Sequence, residues 1–177
     1  LNTARNGLAD SGTVTAALAF GGNTGSVTAV TETWNGTNWT EVNDLNTARS
    51  ALAGAGDSNT VALGFGGGPP NIAITESWNG TNWTEVNDLN TARRALGGAG
   101  NYTSALAVGG NDGSLSGKTE EWNGTNWTEV SDLSTARAEL GTTGTVPSAL
   151  AFAGAAPSDS AATEEWNSPQ SVVKTLD

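Results

Sequence analysis

"WNGTNWTEVNDLNTAR" occupies residues 34–49 and recurs letter for letter at 78–93. It returns at 122–137 with only Ser131 and Ser134 changed. Around it the whole chain keeps the same step. Arg5, Arg49, Arg93 and Arg137 are 44 residues apart, as are Trp34, Trp78, Trp122 and Trp166, and Glu32, Glu76, Glu120 and Glu164. A period in the forties marks a supersecondary unit that cannot bury its own faces and must stack on copies of itself. The repeats run approximately 1–44, 45–88, 89–132 and 133–177 within a single domain.

Each period holds four short β-type runs parted by turn chemistry. In the second copy these are Ser50–Ala55, Thr60–Phe65, Ile74–Trp78 and Trp83–Val86, with a glycine cluster at Gly66–Gly68 closing the second run. Asn79-Gly80-Thr81-Asn82 joins the last two runs. Asn-Gly between alternating runs is a strong hairpin signal, because both residues tolerate positive φ. No window places apolar residues at i, i+3, i+4 and i+7 without a Gly interruption, so helices are excluded. Four strands in 44 residues make one blade of an all-β propeller, and four periods make four blades. Phe20 to Phe65 is 45 residues and Phe65 to Val108 is 43, so length changes fall in loops while the Trp spacing holds.

The coordinated set "GG", "TE-x-W", a turn, "WTEV" and "TAR" resembles the kelch repeat, in which a Gly pair ends the second strand, an aromatic sits on the third and a Trp on the fourth. The likeness covers essentially all 177 residues. The wording of the repeat also resembles kelch-like repeat proteins encoded by marine phages and their bacterial hosts, which implies a virion or surface component. Copy four departs from the pattern, with Ser171 where the second Trp is expected, as terminal repeats often do.

Composition narrows the chemistry. Seven Lys plus Arg stand against 18 Asp plus Glu, a net charge of −11, which disfavours nucleic acid and anionic membrane as partners. No 18-residue apolar run offers membrane insertion. Cys and His are absent, so thiol nucleophiles, Ser–His pairs and His- or Cys-ligated metals are excluded, and with them the copper ligands of oxidase propellers. No cofactor and no catalytic residue is expected. The chain starts in mid-repeat and contains no Met, which reads as a piece of a longer protein.

Trp34 and Trp39 flank the four-residue turn and should face each other, either as inter-blade core or as a sugar-stacking platform. The same register sets Glu32 opposite Glu41, a pair that needs a cation nearby. Arg49, Arg93 and Arg137 are each expected to clamp a framework Glu of the preceding or of their own copy, and Arg5 to meet Glu164 if the ring closes, where Val173 replaces the other Glu. Glu120-Glu121 and Glu164-Glu165 fail as glycosidase dyads, since adjacent strand residues point to opposite faces. Seven Asn-x-Thr sequons occur, six of them in the hairpin turns where Asn and Thr serve geometry. "GFGGG" lacks the Lys-Ser/Thr of a phosphate loop.

What varies is the loop after each glycine cluster: "NTGSVTAV", "PPNIAI", "NDGSLSGK" and "APSDSAAT". All four should share one propeller face with the "NDLNTAR" connections. Binding through them would use Asn23, Thr24, Ser26, Pro69, Pro70, Asn71, Asn111, Asp112, Ser114, Ser158 and Asp159. A cation loop at Asn111–Ser114 is disfavoured, with one acid and no spaced ligand set. The function expected is a non-enzymatic recognition or structural module of a virion or cell surface, its partners other virion or surface proteins or host surface glycans. A carbohydrate-binding propeller is the alternative, for which Tyr102 is the one loose aromatic. The small first strands favour a four-bladed ring closed within one chain, with its two ends side by side; the rival is a half-ring that pairs with a second copy to make eight blades.

Overall fold

The computed structural model describes residues 1–167 and the strand at 174–176. Ser171, Val173 and Asp177, on which some of these expectations rest, lie outside the described residues. Among the described residues every regular element is a strand. Blade 1 comprises β1 (Ala9–Thr13), β2 (Ala16–Phe20), β3 (Thr31–Trp34) and β4 (Trp39–Val42). Blade 2 follows with β5 (Ala53–Ala55), β6 (Ala62–Phe65), β7 (Thr75–Trp78) and β8 (Trp83–Glu85). Blade 3 has β9 (Gly97–Asn101), β10 (Ser104–Val108), β11 (Thr119–Trp122) and β12 (Trp127–Glu129). In blade 4, β13 (Gly141–Thr145), β14 (Ser148–Phe152), β17 (Thr163–Asn167) and β18 (Lys174–Leu176) form the sheet, while β15 (Ala155–Ala156) and β16 (Ser158–Asp159) make a small hairpin in its loop. Each sheet is an antiparallel meander in sequence order. The chain is a four-bladed β-propeller.

Period-2 alternation sorts each second strand onto two flanks. Leu18 and Phe20 point to blade 2, where Ala62, Trp78 and Trp83 receive them; Leu63 and Phe65 meet Ala105, Trp122 and Trp127 in the same way. Phe20–Trp83 and Phe65–Trp127 each stack with ring centroids 4.8 Å apart. Burying one such side chain stabilises the fold by about 1.5–3 kcal/mol. At the third junction Leu106 and Val108 meet Ala149, Ala151 and Trp166. Val108 stands where Phe20 and Phe65 stand, and a void of about 20 Å³ remains there.

The innermost strands β1, β5, β9 and β13 line a central channel of about 340 Å³. Just before each, one residue adopts positive φ: Gly7 (59°), Ala51 (51°), Ala95 (54°) and Glu139 (56°). This bend ends the ladder early, so β5 begins at Ala53 and not at Ser50. Its benefit is a chain of inter-blade bonds: Ala51 N–H donates to the Gly7 carbonyl (2.7 Å), Ala95 to Ala51 (2.7 Å) and Glu139 to Ala95 (2.8 Å).

Three junctions are built, and among the described residues blade 4 shares no core cluster with blade 1. The ring closed within one chain is therefore not what the described residues form. Small inner strands let blades approach at the axis, but the angle between blades is set farther out, where Phe and Trp stack. The same fact divides the recurring Trp, and the inter-blade-core reading fits only those on covered flanks. Trp78, Trp83, Trp122, Trp127 and Trp166 are buried, whereas Trp34 and Trp39 are only half-buried because no blade covers their flank.

Candidate functional site

The repeated words resolve into hydrogen bonds. Asn79 Oδ1 accepts from the N–H groups of Thr81 and Asn82, fixing the hairpin turn, as Asn35 and Asn123 do in theirs. Trp78 and Trp83 are cross-strand partners with centroids 5.4 Å apart. Trp83 Nε1 donates to Thr31 Oγ1 of the preceding blade (3.0 Å), and Trp127 Nε1 to Thr75 Oγ1 (3.0 Å). Asn43 Nδ2 reaches the Thr81 carbonyl and Asn82 Oδ1 of the next blade, both at 2.9 Å. Asp44, Asp88 and Asp132 each accept the N–H of the Thr that opens the third strand. The five buried tryptophans are inter-blade core and offer no stacking face to a sugar.

The ion pairs form within the repeat, each Arg meeting the Glu 27 residues later: Arg49–Glu76 (3.2 Å), Arg93–Glu120 (3.0 Å) and Arg137–Glu164 (2.8 Å), with Arg5 on Glu32. Arg5 does not meet Glu164, which Arg137 holds. Glu32, Glu76 and Glu120 are fully buried, while the opposed Glu41, Glu85 and Glu129 are exposed and make no part of the pair. The register of Glu32 opposite Glu41 is nevertheless as the sequence implies. Each buried carboxylate also gathers donors from the "NTAR" word: Glu76 Oε2 accepts from Asn46 N (2.7 Å) and Nδ2 (2.8 Å), and Oε1 from Thr47 N (3.3 Å). Burial pushes the Glu32 carboxyl up, but the N–H groups of Asn2 and Thr3 and the guanidinium of Arg5 outweigh it and hold it below 4.5. Burial lowers Arg49 and Arg93 from the ordinary guanidinium range, opposed chiefly by Glu76 and Glu120 respectively.

Sequence reading missed where the rest of each guanidinium goes. Arg49 Nη1 donates to the carbonyls of Gly66 (3.1 Å) and Ile74 (2.5 Å), the two ends of the variable loop, and Nη2 to Gly64 (3.1 Å). Arg93 grips Gly109 and Lys118, and Arg137 grips Ala153 and Ala162, in the same way. Five donors in a rigid fork suit this task, which Lys could not perform. Main-chain bonds supply further anchors, joined in three loops by the hydroxyls of Thr28, Ser116 and Ser160, which accept from the N–H groups of Val30, Lys118 and Ala162. Thr28, Ile72, Ser116 and Ser160 donate back to Gly22, Gly67, Gly110 and Gly154; Leu45, Leu89 and Leu133 donate to Ala29, Ala73 and Gly117. Gly66 (φ 66°) brings the backbone so near that a Cβ there would lie 2.7 Å from the Arg93 carbonyl. The signal that could have shown this was in the sequence: the recurring buried cation has one carboxylate but several unassigned donors, next to a loop with no fixed residue.

The loops do share a face with the fourth-to-first-strand connections, through bridges Asn6–Asn23, Ser50–Gly68, Arg94–Asn111 and Ala138–Ala155. Asn71 Nδ2 donates to the Asn111 carbonyl of the neighbouring loop (2.9 Å), so adjacent tips touch. Among the expected contact residues, Thr24, Ser26, Pro69, Pro70, Asp112, Ser114, Ser158 and Asp159 are exposed. Asn23 and Asn111 are half-buried and shape their own tips by accepting from Gly25 N (2.7 Å) and Gly113 N (3.0 Å). Tyr102 lies apart, exposed in the β9–β10 turn. The chain matches no protein-family model, and no curated protein sequence matches it.

Proposed function

We propose that the chain is a non-enzymatic, kelch-like recognition module that binds through the tips of its four variable loops. The observation that carries this reading is the anchoring of those loops. In blades 2, 3 and 4 a buried arginine holds both ends of the loop, and main-chain bonds anchor all four loops. The loop side chains that assist (Thr28, Ser116 and Ser160) sit at the loop ends and not at the tips. Such a frame lets tip residues change while the fold persists, which is the arrangement of binding loops on a rigid scaffold. The acidic chain suits partners that are proteins or glycans and not polyanions. The likeness of the repeat to those of phage and bacterial surface proteins favours a virion or cell-surface assembly as the setting.

The test is retention of host-surface proteins and glycans on the immobilised chain, compared with a tip variant in which Thr24, Ser26, Asp112, Ser114, Ser158 and Asp159 are all Ala. Binding that is lost in the variant, at unchanged circular dichroism, supports the reading. Retention equal in both would overturn it.

A further inference from the structure

Two flanks stay uncovered among the described residues, one on blade 4 and one on blade 1. On blade 4, Leu150 and Phe152 are 36% and 40% exposed, whereas their phase mates Leu18, Phe20, Leu63 and Phe65 are all at 0%. On blade 1, Trp39 is half-buried and its Nε1 has no hydrogen-bond partner among the described residues, although Trp83 and Trp127 in the same phase donate to Thr31 and Thr75. The acceptor next in phase is Thr163 of blade 4. The axial chain of bonds ends in the same way: Glu139 closes it at one end, and among the described residues the Gly7 N–H has no such partner at the other. Three separate links of the built junctions (the aromatic stack, the indole–threonine bond and the axial amide bond) are thus each present as unmatched halves.

We infer that the blade-4 flank docks onto the blade-1 flank of a second copy of this chain, reproducing the junction already built twice between blades 1 and 2 and blades 2 and 3. The occupant is argued from continuity with that interface. Only a surface with Trp34 and Trp39 in blade phase fits Leu150, Phe152 and Thr163, and another copy carries it. In the docked pair Phe152 stacks on Trp39, Trp39 Nε1 donates to Thr163, and Gly7 N–H donates to the Glu139 carbonyl. The contact is head-to-tail, so two copies leave two flanks that can meet and close a ring of eight blades.

Light scattering coupled to size exclusion reads the mass directly, each chain contributing 17.8 kDa. The expected result is a mass of two copies or more, falling at least twofold to one copy in Phe152→Asp and, separately, in Trp39→Ala, with circular dichroism unchanged. Because the contact is head-to-tail, mixing these two variants restores pairing, the intact blade-4 flank of one meeting the intact blade-1 flank of the other. A single-chain mass for the unsubstituted protein overturns the inference, as does an assembly that both substitutions leave intact. Should either variant unfold, Leu150→Ser and Thr163→Val in the same assay replace it, with the same two readings.

Discussion

Replacing Arg49 by Met tests the staple beneath the loop face. Methionine keeps most of the aliphatic stem and removes four hydrogen bonds: those to Gly64, Gly66, Ile74 and Glu76. Glu76 is fully buried and would keep only its bonds from Asn46 and Thr47. Removing one partner of a buried pair costs about 3–5 kcal/mol, because the other charge stays in place without compensation. Against a total stability of roughly 5–15 kcal/mol for a domain, that is a large fraction. The assay is urea denaturation followed by tryptophan fluorescence. Adding Glu76→Leu removes the stranded carboxylate, so the double variant should lose less than the sum of the singles, with coupling of about 1–3 kcal/mol. A loss in Arg49→Met no larger than about 0.5 kcal/mol, the range of ordinary surface substitutions, would refute the reasoning.

Other consequences follow from the same contacts. Glu32 titrates below its ordinary value when folded, so its contribution is present above about pH 4.5 and fades as pH falls through the lower folded value. Urea midpoints between pH 7 and 3 should therefore drop, and Glu32→Gln should flatten that part of the profile. The junction of blades 3 and 4 has Val108 in place of Phe and an adjacent void, so amide exchange in β13 should outpace that in β5 and β9. Gly66→Ala combines a positive φ with a 2.7 Å approach to the Arg93 carbonyl, and should cost about 1–3 kcal/mol in a thermal melt.

Much of this was legible in the letters. Strand count, the Trp34–Trp39 and Glu32–Glu41 registers and the shared loop face all follow from turn chemistry and period-2 alternation, which are local. The closure of the ring was not legible, because it depends on the angle between blades, and the expected Arg5–Glu164 pair rested on that closure. That angle is a sum over side-chain packing at each junction and has no signature in any one repeat. Main-chain acceptors were invisible for a related reason: Arg49 bonds carbonyls, which every residue carries, so no letter marks them. The unmatched halves at Trp39 and Phe152 look like ordinary repeat members in sequence and become distinct only when the neighbouring blade is missing.

The central claim is that the frame holds the loop ends regardless of what the loop contains. Replacing residues 68–73 by the sequence of 111–117 puts a loop of different length and composition between the same two gripped carbonyls, Gly66 and Ile74. A thermal melt of this chimaera decides the matter. The account gives a midpoint within roughly 4 °C of the parent, corresponding to a change of about 1 kcal/mol for a domain of this size. A chimaera that unfolds, or melts tens of degrees lower, would show that the loop side chains hold the blade and would contradict it.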